Sequence, residues 1–378
     1  MENFELRQFD IPLLRFSAED NSRDPEIRIT WVNEEKKYLI PLDLQLSAEG
    51  LLKWLKHRTI PGNRAYVRNF LSKCGLSLNR PLGIIKVSKG LSLNDCYWVT
   101  EEGFKGTFAE YNLYDHRFSR ILGLIAFTGY GSSQRTSLAS SPEFTTNGML
   151  PKCWRRIKGR VYLFKGGTSG ASNTGKEPFS EFYAAQIAEV MGFRAVPYGI
   201  SNWKGTICST CELFTSHEYA YLPIGRLVRS GGMEAVREKY RELGDEYLRA
   251  LHDMLILDAL ICNTDRHFGN FGLMVDTAQN KIVAPAPLFD HGNSLFNYAT
   301  EQDMEDEETF REYVDTLLPC VYDDFIGTAK EVLEPRHHAG LRKLLTFRFK
   351  RHSRYNLPKE RLKVLEEEIH RRARLLLE

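Results

Sequence analysis

The sequence predicts an α+β protein in which a small mixed lobe of strands around one helix precedes a mainly helical part. Three observations predict it. In mid-chain, "GRVYLFKGG" (159–167) reads as a strand ending at a glycine pair and "EPFSEFYAAQIAEVMGF" (177–193) as an amphipathic helix. "AVPYGISNW" (195–203) and "GTICSTCELF" (205–214) then read as a strand pair. Beyond about residue 216 the pattern turns helical.

The 378 residues are more than one small core accommodates, and three spans are expected: 1–115, an α/β unit of unread role; 116–215, the mixed lobe; 216–378, the helical lobe. In the first span "EIRITWV" (26–32) and "KKYLIPL" (36–42) read as strands, and "AEGLLKWLKHR" (48–58) as a helix broken by "TIPGNR" and resumed at "AYVRNFLSKCGL". Lys53, Lys56, Arg58, Arg64 and Arg68 are read as a solvated helix face rather than as phosphate ligands. The stretch 128–148, rich in Ser, Thr and Gly, is too long and polar for an ordinary connection. In the last span "DEYLRALHDMLILDALI" (245–261) is apolar almost all round and is expected to be buried. "KERLKVLEEEIHRRARLLL" (359–377) sets Leu362, Leu365, Ile369 and Ala373 on one face, as in a helix capping a core.

Composition excludes several classes. A 42% hydrophobic content argues against global disorder, and a net charge of +2 gives no whole-chain reason to bind nucleic acid or membrane. Charge is uneven: ten acids against one Arg in 301–324, and thirteen Lys or Arg against seven acids in 331–378. Such runs are read as solvated faces. Seven scattered cysteines are no disulfide framework, which favours a reducing, cytoplasmic setting. The lone CxxC, Cys208 to Cys211, has no second pair to complete a zinc site. No signal peptide and no membrane-spanning stretch is read, so a soluble protein is expected.

The chemistry concentrates in "LICNTDRHFGNFGL" (260–273). Phosphoryl transfer from ATP needs a carboxylate for the nucleophile, oxygen ligands for Mg²⁺, a cation on the phosphates and a backbone loop over them. Asp265 and Asn270 have the Asp-x-x-x-x-Asn spacing of a kinase catalytic loop. Asp290, in "PLFDHGNSL", follows twenty residues later, and with Asn270 it offers the carboxylate and amide oxygens that Mg²⁺ prefers. Upstream, Lys165 closes the strand "VYLFK" and Glu181 lies early in the next helix, the order of a strand lysine held by a helix glutamate. Each feature alone is commonplace; five in order, each on the expected element, are hard to obtain by accident. His267 and His291 with the two aspartates could suggest zinc, but His267 is read as a structural residue that pins the catalytic loop by hydrogen bonds.

"NTDRHFGNFG" followed by "PLFDHGNSL" resembles the HipA family of bacterial kinases, whose catalytic loop reads Asn-x-Asp-Arg-His-x-x-Asn. The resemblance, covering roughly 140–300, implies a two-lobed protein-kinase-like fold enclosing ATP, with an additional N-terminal unit, and phosphorylation of Ser or Thr. It implies Asp265 as catalytic base, acting with Asn270, and Asn270 and Asp290 as Mg²⁺ ligands. "EFYAAQIAEVMGFRAVPY" resembles the family's Glu-led helix, with Glu181 as the partner of Lys165. "NGMLPK" resembles its phosphate-side loop at Gly148, Pro151 and Lys152, with Leu150 where that loop carries Gln. "CELF" resembles the hinge strand that offers backbone groups near Glu212 and Phe214 to adenine. Several members are toxins neutralised by a DNA-binding partner, which makes such an antitoxin an expected partner beside a protein substrate. The first 115 residues do not show the family's N-terminal pattern. A small-molecule phosphotransferase of the same fold, or a nucleotide- or partner-binding module without catalysis, remain the alternatives. The 128–148 stretch is read as a linker, a phosphate cover or a self-modified segment.

Overall fold

Alternating apolar residues near the start of the chain build a sheet. Strands β1 (Glu2–Gln8), β2 (Ile11–Ala18), β3 (Ile27–Val32) and β4 (Tyr97–Glu101) run antiparallel in the order β3-β2-β1-β4. The structure is a computed structural model and describes residues 1–19, 24–131 and 140–378. Phe4, Leu6, Leu14, Phe16 and Val99 form one core with Leu51, Trp54 and Leu55 of the helix Ala48–Lys56. That helix starts where the Ser47 side chain accepts the Gly50 N–H, satisfying an otherwise unpaired amide of its first turn. Burying its apolar stripe removes the Leu and Trp side chains from water, at about 1.5–3 kcal/mol for a fully buried Leu.

By its internal contacts the chain divides into two compact units: Met1–Lys165 with Glu212–Leu222 and Met274–Val283, and Gly166–Cys211 with Pro223–Leu273 and Ala284–Glu378. In the first, helices Val67–Lys73 and Arg120–Thr128 bury Phe70, Leu122 and Ile125 around Phe144. A hairpin of β5 (Lys152–Ile157) and β6 (Arg160–Gly166) follows. Ala220, Leu222 and Val275 form a smaller cluster nearer the chain's middle.

The second unit holds the helix Glu177–Met191 and the antiparallel pair Tyr198–Trp203 with Thr206–Glu212. Its centre is the helix Asp245–Ile261, packed by Gly232–Leu243, Phe325–Glu331 and Lys359–Leu377. All-round burial holds for its last two turns, Met254–Ile261, while its first turns keep a wet face. In the last helix Leu362, Leu365, Ile369 and Ala373 are buried as the periodicity required.

Two sequence expectations are corrected. "KKYLIPL" is no strand: Glu34–Leu39 is a 3₁₀ helix, because the Asn33 side chain captures the Lys36 N–H. Arg58 and Arg64 do not sit on a solvated face. Both are buried, Arg58 against the Trp54 ring with its guanidinium donating to Asp95 and to the carbonyls of Gly90 and Tyr97. The expected self-modification segment lies partly outside the described residues, at 132–139. Among the described residues no helix is long and apolar enough to cross a membrane.

Candidate active site

In the first unit, β5 and β6 pair so that Lys152 lies directly opposite Lys165, and both are buried. Residues opposite one another project to the same face of a hairpin, and like charges there oppose each other. Lys152 Nζ donates to the Asn147 carbonyl at 2.8 Å, which draws the preceding loop onto the strand. Gly148 has φ +91°, a left-handed conformation that favours glycine, and a Cβ there would displace the end of the Lys152 side chain.

The loop is held from beneath by Arg64. Its Nη1 donates to the Thr146 carbonyl at 3.0 Å and its Nη2 to the Lys152 carbonyl at 2.6 Å, while Ala65 N–H reaches Met149 O at 2.7 Å. Burial pulls the guanidinium down to about 10, against the charge of Glu143, and it stays cationic at neutral pH. Glu143 is itself buried and raised by that burial. Its carboxylate accepts from the Ser141 hydroxyl and from the Trp154 N–H.

Glu212 ends its strand with a half-exposed side chain 3.3 Å from Arg160, and Phe214 packs edge-on against Tyr221. Between them Leu213 N–H donates to Val161 O at 2.9 Å.

In the second unit the Asp245–Ile261 helix ends at Cys262, in the left-handed region at φ +54°, and turns into the catalytic-loop candidate. Asp265 Oδ2 accepts from Asn293 Nδ2 at 3.0 Å, which orients the carboxylate. Asn270 Nδ2 donates to the Asp265 carbonyl at 3.1 Å, so its amide nitrogen serves the loop and Oδ1 is the end suited to a hard cation. Asp290 stands at φ +58°, strained for a residue with a Cβ, and its N–H donates to Tyr198 Oη at 3.1 Å. Bonds of Thr264 N to Asn293 O (3.0 Å) and Leu295 N to Ile261 O (2.7 Å) tie the segment after Asp290 to the catalytic loop. Glu181, fully buried in its helix, accepts the His291 N–H at 2.9 Å.

The structure thus gathers the predicted residues in two groups: Gly148, Lys152, Lys165, Glu212 and Phe214 in one unit, Glu181, Asp265, Asn270 and Asp290 in the other. His267 closes a local turn, its Nδ1 accepting the Gly269 N–H at 3.0 Å. Cys208 and Cys211 lie three apart on a strand, where side chains point to opposite faces, so they form no ligand pair. Among the described residues no group of three or more His, Cys, Asp or Glu is placed to hold a metal. A Mg²⁺ ion here would rest on Asn270 and Asp290, completed by phosphate oxygens and water, the usual economy of that ion.

Sequence reasoning missed Asp258, Arg266 and Asn293. Arg266 and Asp258 are 0% exposed and paired at 3.0 Å. Burial raises the Asp258 carboxyl against the pull of Arg266 and Asn263; burial also works against the Arg266 charge, but Asp258 holds it above its ordinary value. The signal was present: a lone acid in the apolar run "MLILDALI" must find a buried cation.

No family model matches the chain. Over 137 residues it is 26% identical to the serine/threonine-protein kinase CtkA of Helicobacter pylori, a span covering 32% of this chain and 42% of that protein. The chain therefore matches less than half the length of this curated relative. The crystal structure of H. pylori CtkA superposes with a TM-score of 0.48 at 16% identity, covering 61% of this chain and 91% of that one. HipA of Shewanella oneidensis MR-1, solved with HipB and operator DNA, matches with a TM-score of 0.53 at 12% identity, over 98% of this chain and 96% of its own. In fold this chain is HipA-like.

Proposed function

We propose that the protein transfers the γ-phosphoryl group of ATP to a Ser or Thr hydroxyl with Mg²⁺, as a HipA-like kinase. The observation that carries this reading is the fixed juxtaposition of Asp265, Asn270 and the Asp290 segment, three groups whose side chains match what the transfer needs. Asp265, held by Asn293, accepts or orients the proton of the acceptor hydroxyl. Asn270 Oδ1 and the Asp290 carboxylate would hold Mg²⁺, which when bound neutralises charge on the β- and γ-phosphates. Lys165 and Lys152 supply positive charge for the phosphates, with the Gly148 turn beside them, and the backbone at Glu212 and Phe214 offers hydrogen bonds to adenine. Glu181 braces the segment that follows Asp290. Self-phosphorylation within 128–148 and a DNA-binding protein partner like the HipB seen with HipA belong to the same reading.

The test is intact mass before and after Mg²⁺-ATP, wild type beside Asp265→Ala, with a Ser/Thr-containing protein mixture supplied as acceptor. Wild type is expected to transfer phosphate and Asp265→Ala to lose at least about 100-fold in rate, the scale of positioned acid–base catalysis. Equal rates in the two would remove Asp265 from the mechanism.

A further inference from the structure

Every N–H of the Arg266 guanidinium has an acceptor. Nε donates to Asp258 Oδ2 at 3.0 Å and Nη2 to Asp258 Oδ1 at 3.0 Å, a two-point grip on the platform helix. The second Nη2 hydrogen goes to His291 Nδ1 at 2.9 Å. Because arginine only donates, His291 carries its ring proton on Nε2. Nη1 divides between the Asn270 carbonyl at 3.0 Å and the Phe289 carbonyl at 2.5 Å. The acceptors therefore include the backbone of one candidate metal ligand, Asn270, and the residues on either side of the other, Asp290. His291 N–H continues the chain to Glu181.

We propose that Arg266 is a positioning residue that sets the spacing of the two metal-ligand loops against the platform helix, so that its planar fork governs how tightly the divalent ion is held. The inference rests on the phosphotransfer reading above and deepens it. Lysine cannot replace the fork. Its ammonium offers fewer donors from a single point, so it cannot grip the carboxylate, the two carbonyls and the imidazole together in the geometry of the fork. Groups that orient ligands from behind change metal affinity or activity by 10- to 100-fold when altered. A residue serving fold stability alone would leave the ion's affinity in the folded protein unchanged.

The full-length protein is titrated with Mn²⁺, a spin-active stand-in for Mg²⁺, in the presence of ADP, and free ion is followed by electron paramagnetic resonance. Wild type, Arg266→Lys and His291→Ala are compared, with metal-free ADP binding measured alongside. Arg266→Lys is expected to weaken Mn²⁺ binding roughly 10- to 100-fold while metal-free ADP affinity moves less than about twofold. The Mg²⁺ concentration for half-maximal transfer should rise in parallel. Wild-type Mn²⁺ affinity in a folded Arg266→Lys protein overturns the inference. Should that variant not fold, His291→Ala decides, since it removes one acceptor and leaves the Asp258 pair intact: a weakened ion supports the proposal and an unchanged one overturns it. A wild type that binds ADP but no Mn²⁺ overturns the phosphotransfer reading, and the inference with it.

Discussion

Two buried arginines each hold a loop of the candidate site, and they do it differently. Arg266 is locked to a carboxylate at full burial, whereas Arg64 grips only the carbonyls of Thr146 and Lys152, with Glu143 acting on it through space. The Asp258 charge raises the pKa of Arg266 above its ordinary value, while burial lowers that of Arg64. An ion pair at zero exposure resists rearrangement, because separating it strands a charge in a low-dielectric interior. A guanidinium on backbone carbonyls can release and re-form its bonds one at a time. The loops around Asn270 and Asp290 are thus tied to a buried ion pair, and the loop at Thr146–Lys152 to carbonyl hydrogen bonds.

The comparison can be broken most decisively at Asp258. Asp258→Ala leaves the Arg266 charge uncompensated and should cost about 3–5 kcal/mol, read as a lower denaturant midpoint. A loss below about 1 kcal/mol would mean that the pair is no anchor. Arg64→Met keeps the apolar stem but removes the hydrogen bonds to two carbonyls, and about 1–3 kcal/mol is expected, with ATP affinity falling more than overall stability suggests. Unchanged ATP affinity would detach Arg64 from the phosphate loop. The smallest effect belongs to a third arrangement, at the surface. Glu334 accepts from Arg336 and His252, and these hydrogen bonds lower its carboxyl to about 2. A depressed carboxyl contributes stability above its unfolded value of 4.5, and that contribution drains away as pH falls toward 2. For so accessible a pair the effect is at most about 1 kcal/mol. Glu334→Gln should therefore bring its stability close to wild type's at pH 2 and differ from it at pH 7.

Legibility in the sequence followed the range of the interaction. Strand β6, the Glu177–Met191 helix and the 245–261 helix were readable because period and end signals are local. "KKYLIPL" misled because Asn33, outside the window, captured its first amide. Asp265 and Asn270 stood out because their spacing is short, and the structure joins them through one hydrogen bond. Arg266 stood in the same motif, yet its role depends on Asp258 eight residues earlier and on Phe289 and His291 more than twenty later. Arg58 and Arg64 read as solvent-facing because a charged residue normally is.

What the sequence by itself determined is the α+β class and the order of the elements in mid-chain, since these follow from periodicity. Tertiary structure alone decided that Lys152 faces Lys165, that Asn293 orients Asp265, and that one guanidinium joins a helix to two loops. The physical reason is that a buried polar group is stable only beside its partner, and partners distant in sequence meet only once the chain has folded.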